Sequence, residues 1–390
     1  VPAQTPKRRR KVASARKPGG KKRTTVKRKS KAKAQPVALV RTSERTTFKR
    51  CRFQWEQTYV AGLTPIREAP ALRFGTLVHK ALEMRYPPGI KRGPKPAETF
   101  EKLFAKERKD TEVKWKMKVD GEWDDMLEIG IDMLEMFVEK YGRDEDWKVI
   151  QSEMTFQVPV YLPADFNAKL LVPVAHLLSK GQALGNQPLF HYVGTMDGVW
   201  ENRMDGGVRV IDWKTCAKDA EKEAQGKGLL DEQTTAYWTW GVDWLVQQKI
   251  LKPRQQQALD GMVFTFLRKG RRDTRPTNAQ GLCLNQDGSV SKKQPPPFFH
   301  REQVYRSEIE QNNARTRAVQ EFVEMLEGRH GLLALYKTPE TGSMGHCGFC
   351  PVKDTCEIHE AGGDWKLMRD SSMEKWDGYS AHEIEEEGKR

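Results

Sequence analysis

The segment HYVGTMDGVWENRMDGGVRVIDWKT, from His191 to Thr215, constrains the fold more than any other. Its two halves alternate like strands, and the Asp-Gly-Gly between them is tight-turn chemistry, so the segment reads as a hairpin. The flanking sequence has a different period. Residues 98–141 are helix-rich, with Leu127, Ile131, Leu134 and Val138 at helical spacing. Residues 231–245 return to that period, and a last long helix starts at Ser307, where Glu310 completes a capping box. Val319, Phe322, Val323 and Leu326 form its apolar stripe. VIQSEMTFQVPV (149–160) and GMVFTFLRK (261–269) read as further strands. Helices, strand, hairpin, helix, strand, helix is the order of an α/β core with helical additions.

The rest of the chain fits around this core. SERTTFKRCRFQWEQTYV reads as one helix capped by Ser43 or Thr46, with Phe48, Cys51 and Trp55 on a shared face. A short helix from Arg73 buries Leu77, Ala81 and Leu82, and residues 87–96 form a loop. Residues 161–189 are a polar, proline-interrupted insertion, and 270–299 an extended loop or long hairpin. Three parts result: a basic tail over 1–39, a main domain over 40–365 with a helical insert at 87–145, and a polar C-terminal tail over 366–390.

Charge is unevenly spread. The formal net charge is +14, yet residues 1–38 hold fifteen Lys or Arg and no acid, leaving the remainder near −1. With almost nothing to bury, the tail is expected to be disordered alone and to contact phosphates without reading sequence. KRRRK at Lys7–Lys11 also has the form of a nuclear signal, and a solubility role is the plainer alternative. No stretch approaches the roughly 18 apolar residues of a membrane span, and the N-terminus lacks a signal-peptide core. The expected location is therefore the cytoplasm, of a bacterium or a phage-infected host, or the nucleus if the chain is eukaryotic. In a reducing compartment, clustered cysteines point to metal or chemistry before structural disulfides.

Asp212 and Lys214 stand two residues apart on a strand, so they share a face while Trp213 points away. Pairing across the hairpin brings Asp197 beside Asp212, and Glu153 on the preceding strand can join them. Clustered carboxylates repel one another, and a divalent cation relieves that repulsion. Such a cation polarises a phosphate and acidifies bound water, with a lysine to position the water or stabilise developing charge. Asp-x-Lys alone is a common surface pattern; its place at the end of an apolar strand, after a second Asp-bearing strand, is what raises it above that.

The order Glu153, Asp197, Asp212-x-Lys214 resembles the PD-(D/E)XK nuclease superfamily. More narrowly, FGTLVHKALE resembles the Gly-x-x-x-His motif of RecB-type nuclease domains, and DEQTTAY their Gln-x-x-x-Tyr motif. The resemblance implies a restriction-endonuclease-like α/β fold with a central mixed sheet flanked by helices. It implies one or two Mg²⁺ or Mn²⁺ ions held by His79, Asp197, Asp212 and the Trp213 carbonyl. Lys214 would lie by the attacking water, with Gln233 and Tyr237 against the metal site and the scissile DNA strand. Asp-Trp-Lys stands here where the family usually has Tyr or Phe between the acid and the lysine. The implied activity is DNA cleavage by an exonuclease in recombination, repair or end processing. A structure-specific endonuclease and a non-catalytic nucleic-acid-binding protein are the alternatives. No helicase P-loop is present, so any unwinding falls to a helicase or recombination partner.

HCGFCPVKDTC, from His346, places Cys347, Cys350 and Cys356 within ten residues, one short of a four-ligand site. AddB nuclease domains and some CRISPR-associated exonucleases carry a 4Fe–4S cluster on one cysteine before the nuclease core and three after it. The resemblance implies that Cys51 completes such a cluster here. Zn²⁺ on the same cysteines, with His346 or His359 able to replace one, is the alternative, which spacing does not separate from it. Cys216 and Cys283 fall outside this pattern.

Overall fold

The computed structural model describes residues 37–67, 70–119, 121–217, 219–227, 231–340 and 345–379. The basic tail up to residue 36 and the end of the chain from 380 lie outside the described residues. Leu39–Val40 form strand β1, paired in parallel with the central hairpin.

Helix α1 (Thr42–Arg50) follows, then α2 (Arg52–Trp55) and a π-helical turn over Glu56–Val60. This corrects the single helix expected from the sequence. Cys51 adopts extended geometry (φ −158°, ψ 113°), and Arg41 occupies the N-cap without a side-chain bond, so neither Ser43 nor Thr46 caps it. Phe48, Cys51 and Trp55 therefore do not share one helical face. Phe48 and Trp55 still meet edge to face, with ring centroids 5.0 Å apart, so tertiary packing restores the contact that local periodicity promised.

Strand β2 (Leu63–Pro65) leads to α3 (Pro70–Arg85), α4 (Pro96–Trp115) and α5 (Gly121–Tyr141). Leu77, Ala81 and Leu82 of α3 are buried as expected. On α5 the buried seam is Trp123, Gly130, Met133, Leu134 and Phe137; Leu127, Ile131 and Val138 flank it, half-buried. Gly130 is there because Phe100 of α4 lies across it: an added Cβ would come within 2.1 Å of the ring.

The main sheet has β3 (Trp147–Val160), β4 (Phe190–Asn202), β5 (Val208–Cys216), β6 (Leu259–Arg268) and β7 (Phe299–Val304), with β1 on the same edge of β4 as β5. β3 and β4 pair antiparallel along their whole length, as do β4 and β5 near the turn. β5 and β6 run parallel, and β6 and β7 form the long hairpin enclosing residues 269–298. Helices α6 (Ala220–Lys227), α7 (Glu232–Ala236), α8 (Val242–Gln247) and α9 (Pro253–Gln257) lie between β5 and β6, and Tyr237–Gly241 is a second π-helical turn. The sheet is thus mixed and flanked by helices, the α/β architecture expected.

Each face of the sheet buries its own core. Val208 and Val210 of β5 pack with Trp240, Val319 and Phe322 on one side. Ile211 and Trp213 pack with Phe74, Val78, Leu82 and Phe137 on the other. Period-two alternation on one strand therefore feeds both layers. Helix α10 (Glu308–Arg329) opens with the capping box of Ser307 and Glu310 and buries Val319, Phe322 and Val323, with Leu326 at the margin. The insertion at 161–189 is less polar in effect than in composition: a 3-10 turn over Ala168–Val174 buries Leu171 and Val174 in the same core.

After α10 come α11 (Lys353–Glu360), α12 (Trp365–Ser372) and β8 (Met373–Lys375). The segment read as a polar tail from 366 thus contains a strand, which pairs with β2 and buries Met373. No helix among the described residues is long and apolar enough to cross a membrane.

Candidate active site

One edge of β4 is shared by two strands. β1 pairs with it at His191 and Tyr192, and β5 pairs from Gly198 to Glu201. Between them, residues 193–197 face neither strand, and the sheet opens. The freed backbone must find other partners. Tyr237 Oη donates to the Thr195 carbonyl, and the Trp213 N–H of β5 donates to Asp197 Oδ2 at 2.7 Å instead of to a β4 carbonyl.

The expected site residues converge at this opening. His79, Glu153, Asp197, Asp212, Lys214, Gln233 and Tyr237 all line one cleft of about 430 Å³. Asp197 sits at 8% exposure and Asp212 at 2%. His79 Nδ1 lies 2.9 Å from Asp197 Oδ1. Lys214 Nζ lies 2.7 Å from Asp212 Oδ2 and donates to Gln233 Oε1, also at 2.7 Å. Gln233 Nε2 in turn donates to Tyr237 Oη. Acid, lysine, amide and phenol thus form one chain across β5 and α7, while Asp231 caps α7 by accepting from the Thr234 N–H.

Trp213 faces the other core, as its parity requires. It stacks on Tyr86 at 5.7 Å and meets Trp200 edge to face. Its ring also meets His79 edge to face at 6.4 Å, backing that imidazole from behind, while its backbone lies at the site.

Burial and charge pull the two aspartates apart. Burial raises Asp212 to about 6, with Asp197 adding repulsion and Lys214 opposing it. Burial also disfavours the Asp197 carboxylate, but His79, Lys214 and the Trp213 N–H outweigh it and hold its pKa below the usual value. Lys214 and His79 both lose to burial and gain more from the acids, so both are raised.

Glu153 lies opposite Asp197, bracketed by the pairs Ser152–Gly198 and Met154–Met196. Partial desolvation, and then a hydrogen bond to Glu83, raise its pKa, although the residue as a whole is exposed. Sequence reading missed Glu83 and Lys80, which form an ion pair at the cleft's rim. Their signal was available: Glu83 is four residues past His79, one turn along the same helical face.

Far along the chain from this cleft, Cys51, Cys347, Cys350 and Cys356 line a single pocket of about 460 Å³. Phe53, Val352, Leu63 and Met373 form an apolar cluster with Cys51, against which Cys350 and Cys356 pack. Burial pushes Cys350 up to about 11 and raises Cys356, and the thiols of Cys51 and Cys347 add to both. The Glu340 N–H donates to Cys347 Sγ at 3.3 Å. His346 also lines the pocket; its Nδ1 is 2.6 Å from Glu340 Oε2, and its Nε2 is buried without a partner. Cys216 and Cys283 are buried elsewhere.

Among the described residues, no group of three or more His, Cys, Asp or Glu side chains is arranged to hold a metal ion as it stands. The donor chemistry still fits one at each place. Asp212 Oδ2 is buried and, though Lys214 is near, accepts no hydrogen bond of normal geometry. That is an oxygen with a hard cation's preferred character. Four thiols, that of Cys51 buried and those of Cys347, Cys350 and Cys356 half-buried, share one pocket with an orphaned imidazole nitrogen, a donor set that suits a softer centre.

Two acids and a lysine thus stand at an opening in a mixed sheet, backed by a histidine from the packed helix. The family model of the PD-(D/E)XK nuclease superfamily matches residues 42–357, and the chain belongs to that superfamily. No curated protein matches the chain.

Proposed function

We propose that this protein is a Mg²⁺- or Mn²⁺-dependent DNA exonuclease acting on single-stranded or end-containing DNA in recombination, repair or end processing. The observation that carries the reading is the convergence of His79, Asp197, Asp212 and Lys214 on one cleft at the gap in the sheet. Asp197, Asp212, His79 and the Trp213 carbonyl would hold the cation, which when bound polarises the scissile phosphate and acidifies water. His79 Nδ1 already lies 2.9 Å from Asp197 Oδ1, so the two prospective ligands stand together before any cation is bound. Lys214, held between Asp212 and Gln233, supplies positive charge where negative charge develops. Tyr237 fixes Gln233 and so the lysine head. Glu153, tied to Glu83 on the opposite wall, assists from the rim.

Cys51, Cys347, Cys350 and Cys356 are proposed to hold a 4Fe–4S cluster with a structural role. A zinc centre is the second reading, favoured by the unpartnered Nε2 of His346 in the same pocket. Unwinding, where required, is assigned to a helicase or recombination partner.

The test is cleavage of end-labelled linear and circular DNA by anaerobically purified protein with Mg²⁺, Mn²⁺ or EDTA. Release of short products from linear single strands with either cation, and none with EDTA, supports the reading. Equal cleavage of circles makes the enzyme an endonuclease, and cleavage unaffected by Asp212→Asn overturns the site. Iron, sulfide and zinc analysis of the same sample separates the two metal readings.

A further inference from the structure

A larger cleft, of about 800 Å³, lies beside the catalytic one and shares Thr195, Gln233 and Tyr237 with it. Its near wall is α1. The residues α1 turns toward it are Thr42, Ser43, Thr46, Thr47, Lys49 and Arg50, all hydroxyls or cations. Glu44, Arg45 and Phe48 are buried on the helix's other side. The floor is the unpaired stretch of β4, Val193 to Thr195.

Several of these groups are already engaged. Thr42 Oγ1 bonds Tyr192 Oη at 2.7 Å, and Thr47 Oγ1 donates to the Ser43 carbonyl. Lys49 pairs with Glu232 and Glu321, which offsets the acid on the opposite wall. Asp231, the other acid lining the cleft, caps α7. Arg50 is different: it donates to Gln54, and among the described residues no carboxylate pairs with it. Ser43, Thr46 and Arg50 are exposed. Hydroxyls and arginines are among the groups that contact phosphodiester backbones. A cleft of this size accepts one strand, and a charged groove of this kind tracks a single strand's backbone.

The geometry points to the α1 cleft as the track for the strand flanking the scissile phosphate, with Thr46 and Arg50 as backbone contacts. This inference rests on the nuclease reading for its substrate class. It adds where the strand runs: from the metal site, past Tyr237, along α1 toward Cys51.

The experiment uses the full chain carrying Asp212→Asn, so that binding is read without turnover. A single-stranded oligonucleotide with 4-thiothymidine at successive positions is photo-crosslinked, and adducts are mapped by mass spectrometry. Adducts within residues 42–50 are expected. In parallel, anisotropy of a labelled oligonucleotide is followed against salt. Thr46→Glu is expected to weaken binding at least tenfold, and Arg50→Gln to lower the slope of log K against log salt by about 0.7, the single-strand value for one lost phosphate contact. Circular dichroism checks that both variants fold, and either suffices if the other does not. Adducts confined to other segments, or binding and slope unchanged in a folded variant, overturn the inference. A wild-type protein that crosslinks on α1 yet cleaves nothing would defeat the nuclease reading and leave the track standing.

Discussion

Asp212 concentrates the chemistry of the site in one side chain. It is the most buried of the site acids, and its pKa is raised to about 6 by that burial. Asp212→Asn should lower metal-dependent cleavage by about a hundred- to a thousandfold or more, as removal of a transition-state charge contact does; end-labelled DNA with Mg²⁺ measures it. The same raised pKa has a stability consequence. The folded metal-free protein holds this proton to higher pH than the unfolded chain does. Its stability therefore falls as pH rises through the window from about 3.8 to about 6. Asparagine does not titrate, so the thermal midpoint of the metal-free variant should gain on wild type as pH rises from 4 to 7. A constant difference across that range would contradict it. Tyr237→Phe probes the gap in the sheet: it removes the donor to the Thr195 carbonyl and the acceptor for Gln233. The expected cost is about 1–3 kcal/mol in urea unfolding, the price of an orphaned buried polar group, with slower cleavage because Lys214 loses its support.

At the scale of elements, the β4–β5 hairpin was readable because its signals are local: alternation, turn residues and the two-residue offset of Asp212 and Lys214. The capping box of α10 is equally local. The break at Cys51 was not, since nothing in TTFKRCRFQW disfavours a continuous helix. What holds the break is non-local: Phe48 and Trp55 pack with α10 in one core, while Cys51 and Phe53 enter the separate cluster with Val352 and Met373. The α4–α5 crossing shows the same dependence. Gly130 reads as a weak point in a helix, yet Phe100 fills the space above it. Gly130→Ala should therefore destabilise the chain by about 1–3 kcal/mol through overpacking, against helix propensity. Denaturant unfolding gives the sign, and a stabilised variant would show that the two helices shift apart at no cost.

On the scale of the whole molecule, the C-terminal region returns to the N-terminal one. β8 pairs with β2, Tyr379 hydrogen-bonds the buried Glu44 of α1, and Arg329 of α10 reaches the same carboxylate. The thiol pocket lies within this closure, joining residues from both ends of the domain. A metal centre there would couple its own binding to folding of the entire chain. Cys51→Ser should remove bound metal and lower the midpoint of a single cooperative melting transition, as metal analysis and calorimetry on the same sample would show. An unchanged midpoint with the metal gone would mean that the apolar cluster and the β2–β8 pair hold the closure alone.

Sequence by itself determined the α/β class, the strand carrying Asp212 and Lys214, the helices carrying His79 and Gln233, and the run of Cys347, Cys350 and Cys356, because periodicity, turn chemistry and spacing act over a few residues. Only the tertiary structure decided that β4 shares one edge between β1 and β5, and that the gap so formed opens both the cleft lined by Asp197, Asp212 and Lys214 and the groove along α1. It also decided the turn at Cys51, the meeting of Glu153 with Glu83, and the strand at Met373–Lys375. Each of these depends on partners distant in the chain, whose packing and hydrogen bonds outweigh the local preference.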